Sequence, residues 1–253
     1  MKLRTLSIGN SFSQDACGYL HQVAASMGID WECVNLYIGG CSLETHAANL
    51  ASGEEKYLLE INGASTEKMV SVNDLLKDGT YDVVTLQQAS HFSGRVQTYF
   101  PYIETLAAAV REAQPNAKLM VHQTWAYETD STHGAFPHYG CSQYRMYEFL
   151  HDAYTYAAKK IDAEMIPVGD VVQGLREDLP EFDYRNGGAS LNRDGFHLSI
   201  PVGRCLAAYV WIETVCRADV RKAAFIPDGA DVNTVRLLET AREYAHNYVN
   251  KTK

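Results

Sequence analysis

The chain has 253 residues, enough for one large domain with a self-sufficient core. Hydrophobic residues make up 46% and charged residues 21%, the balance of a folded globular protein and not of a disordered one. A net charge of −9 without any long basic run argues against nucleic acid and anionic membrane surfaces as partners, since both need a positive patch.

In chain order, Thr5 to Ile8 reads as a short strand ending in the turn Gly9-Asn10-Ser11. Ala16, Leu20, Val23, Ala24 and Met27 follow at the spacing of one helix face. Trp31 to Ile38 is a second strand, closed by Gly39-Gly40, and Lys56 to Asp78 is a small excursion or hairpin without an assigned role. Val83, Val84 and Leu86 form a third strand whose apolar residues sit on consecutive positions, as in a parallel sheet buried on both faces. Ile103, Leu106, Ala107 and Val110 restore helical spacing before the stop at Pro115-Asn116. Lys118 to Val121 is a fourth strand, Cys141 to Ile161 a long helix and Glu164 to Val168 a fifth strand. Two helices, Val202 to Val215 and Val232 to Tyr248, end the chain. This alternation predicts one α/β domain over 1–253: a three-layer α/β/α sandwich around a central parallel sheet of about five strands. Right-handed crossovers bring the carboxyl ends of the strands to one edge, where open α/β sheets bind ligands.

Six cysteines (17, 33, 41, 141, 205 and 216) show no Cys-x-x-Cys pair, which favours reduced, structural thiols. The start lacks the apolar stretch and cleavage site of a signal peptide, and no apolar run is long enough to span a bilayer. The expectation is a cytoplasmic protein, or a secreted or periplasmic one from which a leader has been removed.

A serine becomes a nucleophile when a base takes its proton and a third group holds that base in one tautomer. Asn192-Arg193-Asp194-Gly195-Phe196-His197 offers the acid and the base on one loop, and Ser11 stands at the end of the first strand. Each has a structural alternative. Asp194 can form an Asx turn before the helix near Pro201, and a serine or Asp15 can cap the helix after the first strand. His122, His133, His138 and His151 lack the tight helical spacing of a zinc site and read as scattered histidines.

Ile8-Gly9-Asn10-Ser11-Phe12-Ser13 resembles the first conserved block of the SGNH (GDSL-like) hydrolases. Ile38-Gly39-Gly40-Cys41-Ser42 resembles their second block, and Asp194-Gly195-Phe196-His197 their last. The three occur in the family's order and span most of the chain. The third block departs from the pattern: where the family has Gly-x-Asn-Asp, this chain has Leu86-Gln87-Gln88-Ala89-Ser90-His91.

The resemblance implies a flavodoxin-like SGNH fold and a serine esterase with Ser11 as nucleophile, His197 as base and Asp194 as its orienting acid. An oxyanion hole would be formed by the N–H groups of Ser11 and Gly40 and by the Gln88 amide, with Gln87 as the alternative. Carbohydrate-esterase branches of the class place a glutamine in the third loop, which implies O-acetyl groups on a carbohydrate as substrate. Trp125 and Tyr127, on the long aromatic loop after the fourth strand, and His91 would line the substrate. No cofactor or metal is needed. The alternatives are a thioesterase or short-chain lipase on the same scaffold and a non-catalytic carbohydrate-binding module. The oligomeric state is left open.

Overall fold

The computed structural model describes residues 2–251. Among these residues seven strands form one sheet: β1 (Lys2–Gly9), β2 (Asp30–Tyr37), β3 (Tyr57–Ile61), β4 (Ala64–Val70), β5 (Val83–Leu86), β6 (Lys118–His122) and β7 (Glu164–Ile166). Their order is β4-β3-β2-β1-β5-β6-β7. The five expected strands run parallel, β1 pairing with β2 and β5, β5 with β6, and β6 with β7. The sheet exceeds the expected five because the excursion after β2 is an antiparallel hairpin, β3 and β4, added to its edge. Its turn is Asn62-Gly63, both with positive φ (54° and 80°), the geometry that matches the twist of a two-residue hairpin.

Among the described residues nine α-helices accompany the strands: α1 (Ser11–Cys17), α2 (Leu20–Ser26), α3 (Leu43–Ser52), α4 (Val72–Asp78), α5 (Tyr102–Ala113), α6 (Gln143–Lys160), α7 (Val168–Asp178), α8 (Val202–Trp211) and α9 (Val232–Lys251). Serines at 42, 71 and 142 cap α3, α4 and α6 by accepting a backbone N–H of the first turn. One face of the sheet carries α1, α2, α7, α8 and α9, and α3, α4 and α5 pack together away from them. The helix α8 is buried on nearly every side, and its sequence VGRCLAAYVW is apolar apart from Arg204. It runs into a π-helical turn over Ile212–Cys216, where the earlier expectation had an unbroken helix to Val215. Trp211 at its end packs against Trp31 of β2 and His122 of β6.

β1 lies at the centre of the sheet, with Thr5, Leu6, Ser7 and Ile8 all buried. From β1 the chain moves outward to β2 on one side and later to β5 on the other. The carboxyl end of β1 is therefore the topological switch point, where such sheets open a crevice. Ser11 follows two residues after the strand ends. Among the described residues no helix is long and apolar enough to cross a membrane, and all six cysteines are free thiols.

Candidate active site

Asn10 organises the turn after β1. Its Oδ1 accepts the Phe12 N–H at 3.0 Å, which makes it the N-cap of α1, and its Nδ2 donates to the Cys41 carbonyl at 3.0 Å. The helix is thus capped by Asn10, and not by a serine or by Asp15, as the alternative reading had it. Gly9 permits a close approach: a Cβ there would stand 2.3 Å from Ser13 Oγ. That hydroxyl donates to Asn10 O at 2.8 Å and lies 2.7 Å from Asn35 Oδ1. Asn35 Nδ2 in turn donates to Glu60 Oε2 at 2.8 Å, and Gln14 Nε2 donates to Glu60 Oε1 at 2.5 Å. Glu60 is on β3, so the added hairpin anchors the helix that begins with Ser11. Ser11 is half-buried, and among the described residues neither its hydroxyl nor its N–H has a hydrogen-bond partner. A hydroxyl at the start of a helix faces unsatisfied N–H groups, a potential that favours developing negative charge.

The second loop presents Gly39 and Gly40 to solvent. Gly40 has φ of +65°, and among the described residues its N–H has no acceptor. The tie from Asn10 to Cys41 holds this loop against the turn that carries Ser11.

In the third loop both glutamines are buried. Gln88 Nε2 donates to Thr98 O at 2.9 Å and Thr98 Oγ1 at 3.1 Å, and its Oε1 accepts the N–H groups of Leu43 and Ala89. Both amide hydrogens are committed, so the expectation that Gln88 donates to an oxyanion is corrected: it pins three loops instead. Gln87 Nε2 donates to Asn10 Oδ1 at 2.6 Å, and its Oε1 accepts from His122 Nδ1 at 2.8 Å. His122 is fully buried, and burial lowers its pKa to about 3.

The loop with Asp194 and His197 is closed at its base by a bridge between Asn192 and Leu198. Asp194 Oδ1 accepts the N–H groups of Phe196 (3.2 Å) and His197 (2.8 Å), an Asx turn. Its Oδ2 lies 2.7 Å from His197 Nδ1. An ionised carboxylate only accepts, so Nδ1 carries a proton, and in the neutral ring this tautomer puts the lone pair on Nε2. Partial burial pushes the Asp194 carboxyl up, but the hydrogen bonds from the His197 ring and the two backbone N–H groups outweigh it. The carboxyl is held below its ordinary value. One oxygen of Asp194 thus makes the Asx turn and the other faces the His197 ring.

The His197 ring packs on Phe196 (centroids 4.2 Å apart) and Phe12 (5.8 Å), the residue after Ser11. Trp125 stacks on Phe12 at 4.4 Å and donates its Nε1–H to Phe196 O at 2.8 Å. Trp125 and Tyr127 are fully buried. They support the site from beneath, and they cannot offer a sugar the open stacking face that the sequence suggested. Tyr127 OH meets Ser90 Oγ at 2.9 Å. His91 stays half-buried against Phe92 at 4.2 Å; burial lowers its pKa, helped by His133, Arg95 and His138.

His133, read from sequence as one of several scattered histidines, stands edge-on to Phe196 at 4.9 Å. Burial and the neighbouring His197 push its pKa down, against Asp194. Its one sequence signal was its place on the long loop after β6. Beside Asp194 lies a polar recess of about 250 Å³, bordered by Asp130, Thr132, Tyr184 and Ser190. A larger apolar groove of about 740 Å³, between α6 and residues 94–100, includes none of Ser11, Asp194 and His197. Glu213, Asp219 and His246 place ligand atoms within 4.8 Å of one another at the π-helical turn. There they bond to one another and to the Val220 and Arg221 N–H groups.

One solved structure resembles this chain over its whole length and others over most of it. A crystal structure of a DUF4886 family protein from Bacteroides uniformis shares 34% identity and superposes with a TM-score of 0.90, covering 100% of this chain and 96% of that one. A chain from Slackia heliotrinireducens assigned to the SGNH hydrolases shares 23% identity with a TM-score of 0.57, over 85% of this chain and 99% of its own. A lipase/acylhydrolase from Enterococcus faecalis shares 16% at 0.51, over 90% and 100%. The last two likenesses show the SGNH hydrolase fold. No curated protein matches the sequence. Residues 4–247 match a domain of unknown function, DUF4886. The chain belongs to the DUF4886 family and is built on the SGNH hydrolase fold.

Proposed function

We propose that this protein is a serine hydrolase that cleaves small esters through Ser11, His197 and Asp194. The observation that carries the reading is the 2.7 Å contact between Asp194 Oδ2 and His197 Nδ1 on a loop whose ring packs against Phe12, next to Ser11. His197 Nε2 takes the Ser11 proton as the hydroxyl attacks the ester carbonyl. The acyl group passes to Ser11 Oγ, and the alcohol leaves with that proton. Water, deprotonated by His197, then releases the acid and restores the hydroxyl. The N–H groups of Ser11 and Gly40 receive the oxyanion. Asp194 stabilises the imidazolium that forms in each half-reaction.

The substrate class we favour is an O-acetylated carbohydrate. The lack of Ser11 from the lining of the large apolar groove supports a short acyl group such as acetyl. A thioesterase or lipase for long chains needs an acyl groove that starts at the nucleophile. The commitment of Gln88 to Thr98 favours a second reading, a non-catalytic carbohydrate-binding module on the same fold. A fluorophosphonate probe separates the two. Labelling of wild type that disappears in Ser11→Ala supports the enzyme, and an unlabelled, folded wild type supports the binder.

A further inference from the structure

The reading of Ser11, Asp194 and His197 as one catalytic unit raises a structural question. Ser11 begins a helix, whereas Asp194 and His197 sit on a loop more than 180 residues away with no strand of the sheet to hold it. Some group must fix the distance between them.

Asp15 lies on α1, four residues after Ser11, so it stands one turn along the same helix. Its carboxylate is fully buried. Arg193 Nη1 donates to Oδ1 at 2.9 Å and to Oδ2 at 3.0 Å. The Leu198 backbone N–H donates to Oδ2 at 2.8 Å. Arg204 of α8 donates to Oδ1 from Nε at 2.9 Å, and its Nη2 forms an ion pair with the same oxygen at 2.8 Å.

The two loop partners are informative. Arg193 immediately precedes Asp194, and Leu198 immediately follows His197, so one carboxylate grips both ends of the four-residue block. The Arg193 guanidinium also donates to the Leu198 carbonyl, and Arg193 N–H donates to His197 O at 2.9 Å. A fully buried carboxylate requires such compensation, because an unpaired charge in the interior is strongly unfavourable. Helix capping and packing explain neither its depth nor its choice of partners: Asn10 already caps the helix.

We infer that Asp15 is a positioning residue for hydrolysis, a clamp that sets the Asp194–His197 pair against Ser11 on the helix that both Ser11 and Asp15 occupy. This inference rests on the proposed esterase activity. Asp15 touches neither substrate nor the reacting atoms and acts through the loop.

The test is steady-state hydrolysis of p-nitrophenyl acetate by wild type, Asp15→Asn, His197→Ala and the double variant, with fluorophosphonate labelling of wild type and Ser11→Ala alongside. Misplacement of a catalytic group by about 1 Å costs on the order of 100-fold. Asp15→Asn is expected to lower kcat by roughly that factor while KM stays within about twofold. In the His197→Ala background the same substitution should change the residual rate by less than about twofold, because the group it positions is gone. An unchanged kcat in Asp15→Asn overturns the inference. A fall of equal size in both backgrounds also overturns it, since a general loss of structure does not depend on His197. A wild type that neither hydrolyses the ester nor takes the probe overturns the esterase reading, and the clamp falls with it. Should Asp15→Asn not fold, Arg193→Met decides by the same comparison, since it leaves Arg204 and the Leu198 N–H on Asp15.

Discussion

The turn after β1 and the loop from Asn192 to Leu198 bring the proposed catalytic groups to one side of the sheet by opposite means. The turn is part of the scaffold: β1 is hydrogen-bonded on both sides, Asn10 caps the helix, and the neighbouring loops are tied to Asn10 through Cys41 and Gln87. The loop has one isolated bridge of its own and takes its position from distant residues, Asp15 and Trp125. Geometry supplied by secondary structure is insensitive to any one side chain. Geometry supplied by a few tertiary contacts is exposed to each of them, so substitutions around the loop should separate activity from stability where those around the turn do not.

The largest effect within the loop is expected from Asp194→Asn. The amide cannot hold His197 with its proton on Nδ1, and kcat should fall by about 10⁴ with the fold retained, as steady-state kinetics and circular dichroism will show. Next comes Trp125→Ala. Removing a buried ring that stacks on Phe12 should cost about 3–5 kcal/mol in urea denaturation, and kcat should fall further than in a core variant remote from His197. Gln88→Ala sharpens the contrast. As a buried tie to Thr98, Leu43 and Ala89 it should cost about 1–3 kcal/mol of stability. Its kcat should stay within a few-fold of wild type, whereas loss of an oxyanion donor would lower kcat by about 100-fold or more.

A separate effect is on acid stability. Burial lowers the pKa values of His46 and His122 from 6.5 to about 3. The unfolded chain takes up these protons below pH 6.5 and the folded chain does not until about pH 3. Their contribution is therefore intact above 6.5 and is lost as pH falls through that window, each by about 1.4 kcal/mol per unit. Denaturation of wild type and His122→Gln between these limits should show a shallower slope for the variant.

The parallel half of the fold is legible in the sequence because its strands are buried on both faces and read as unbroken apolar runs. The hairpin is not legible in the same way. Ala64 to Val70 is largely exposed, carries Glu67 and Lys68 and has its apolar residues only at its ends, so no alternation marks it, and Asn62-Gly63 is its clearest local signal. At the site, Ser11, Gly40, Asp194 and His197 stand in short motifs that a reader can recognise. Gln88 is assigned to the oxyanion hole by the resemblance of its loop to the third block, and Trp125 and Tyr127 to the pocket by loop position; hydrogen bonding commits the first elsewhere and burial takes the other two from the surface. Asp15 was open only to a capping reading, because its partners Arg193 and Arg204 are far away in the sequence and only the folded chain brings them together.

The most direct test of the esterase reading is the rate of p-nitrophenyl acetate hydrolysis by wild type and Ser11→Ala at equal concentration, each shown to be folded. The account predicts turnover by wild type and its loss by at least about 10³-fold in Ser11→Ala. Equal turnover in the two proteins would contradict the assignment of Ser11 as nucleophile and, with it, the mechanism built on His197 and Asp194.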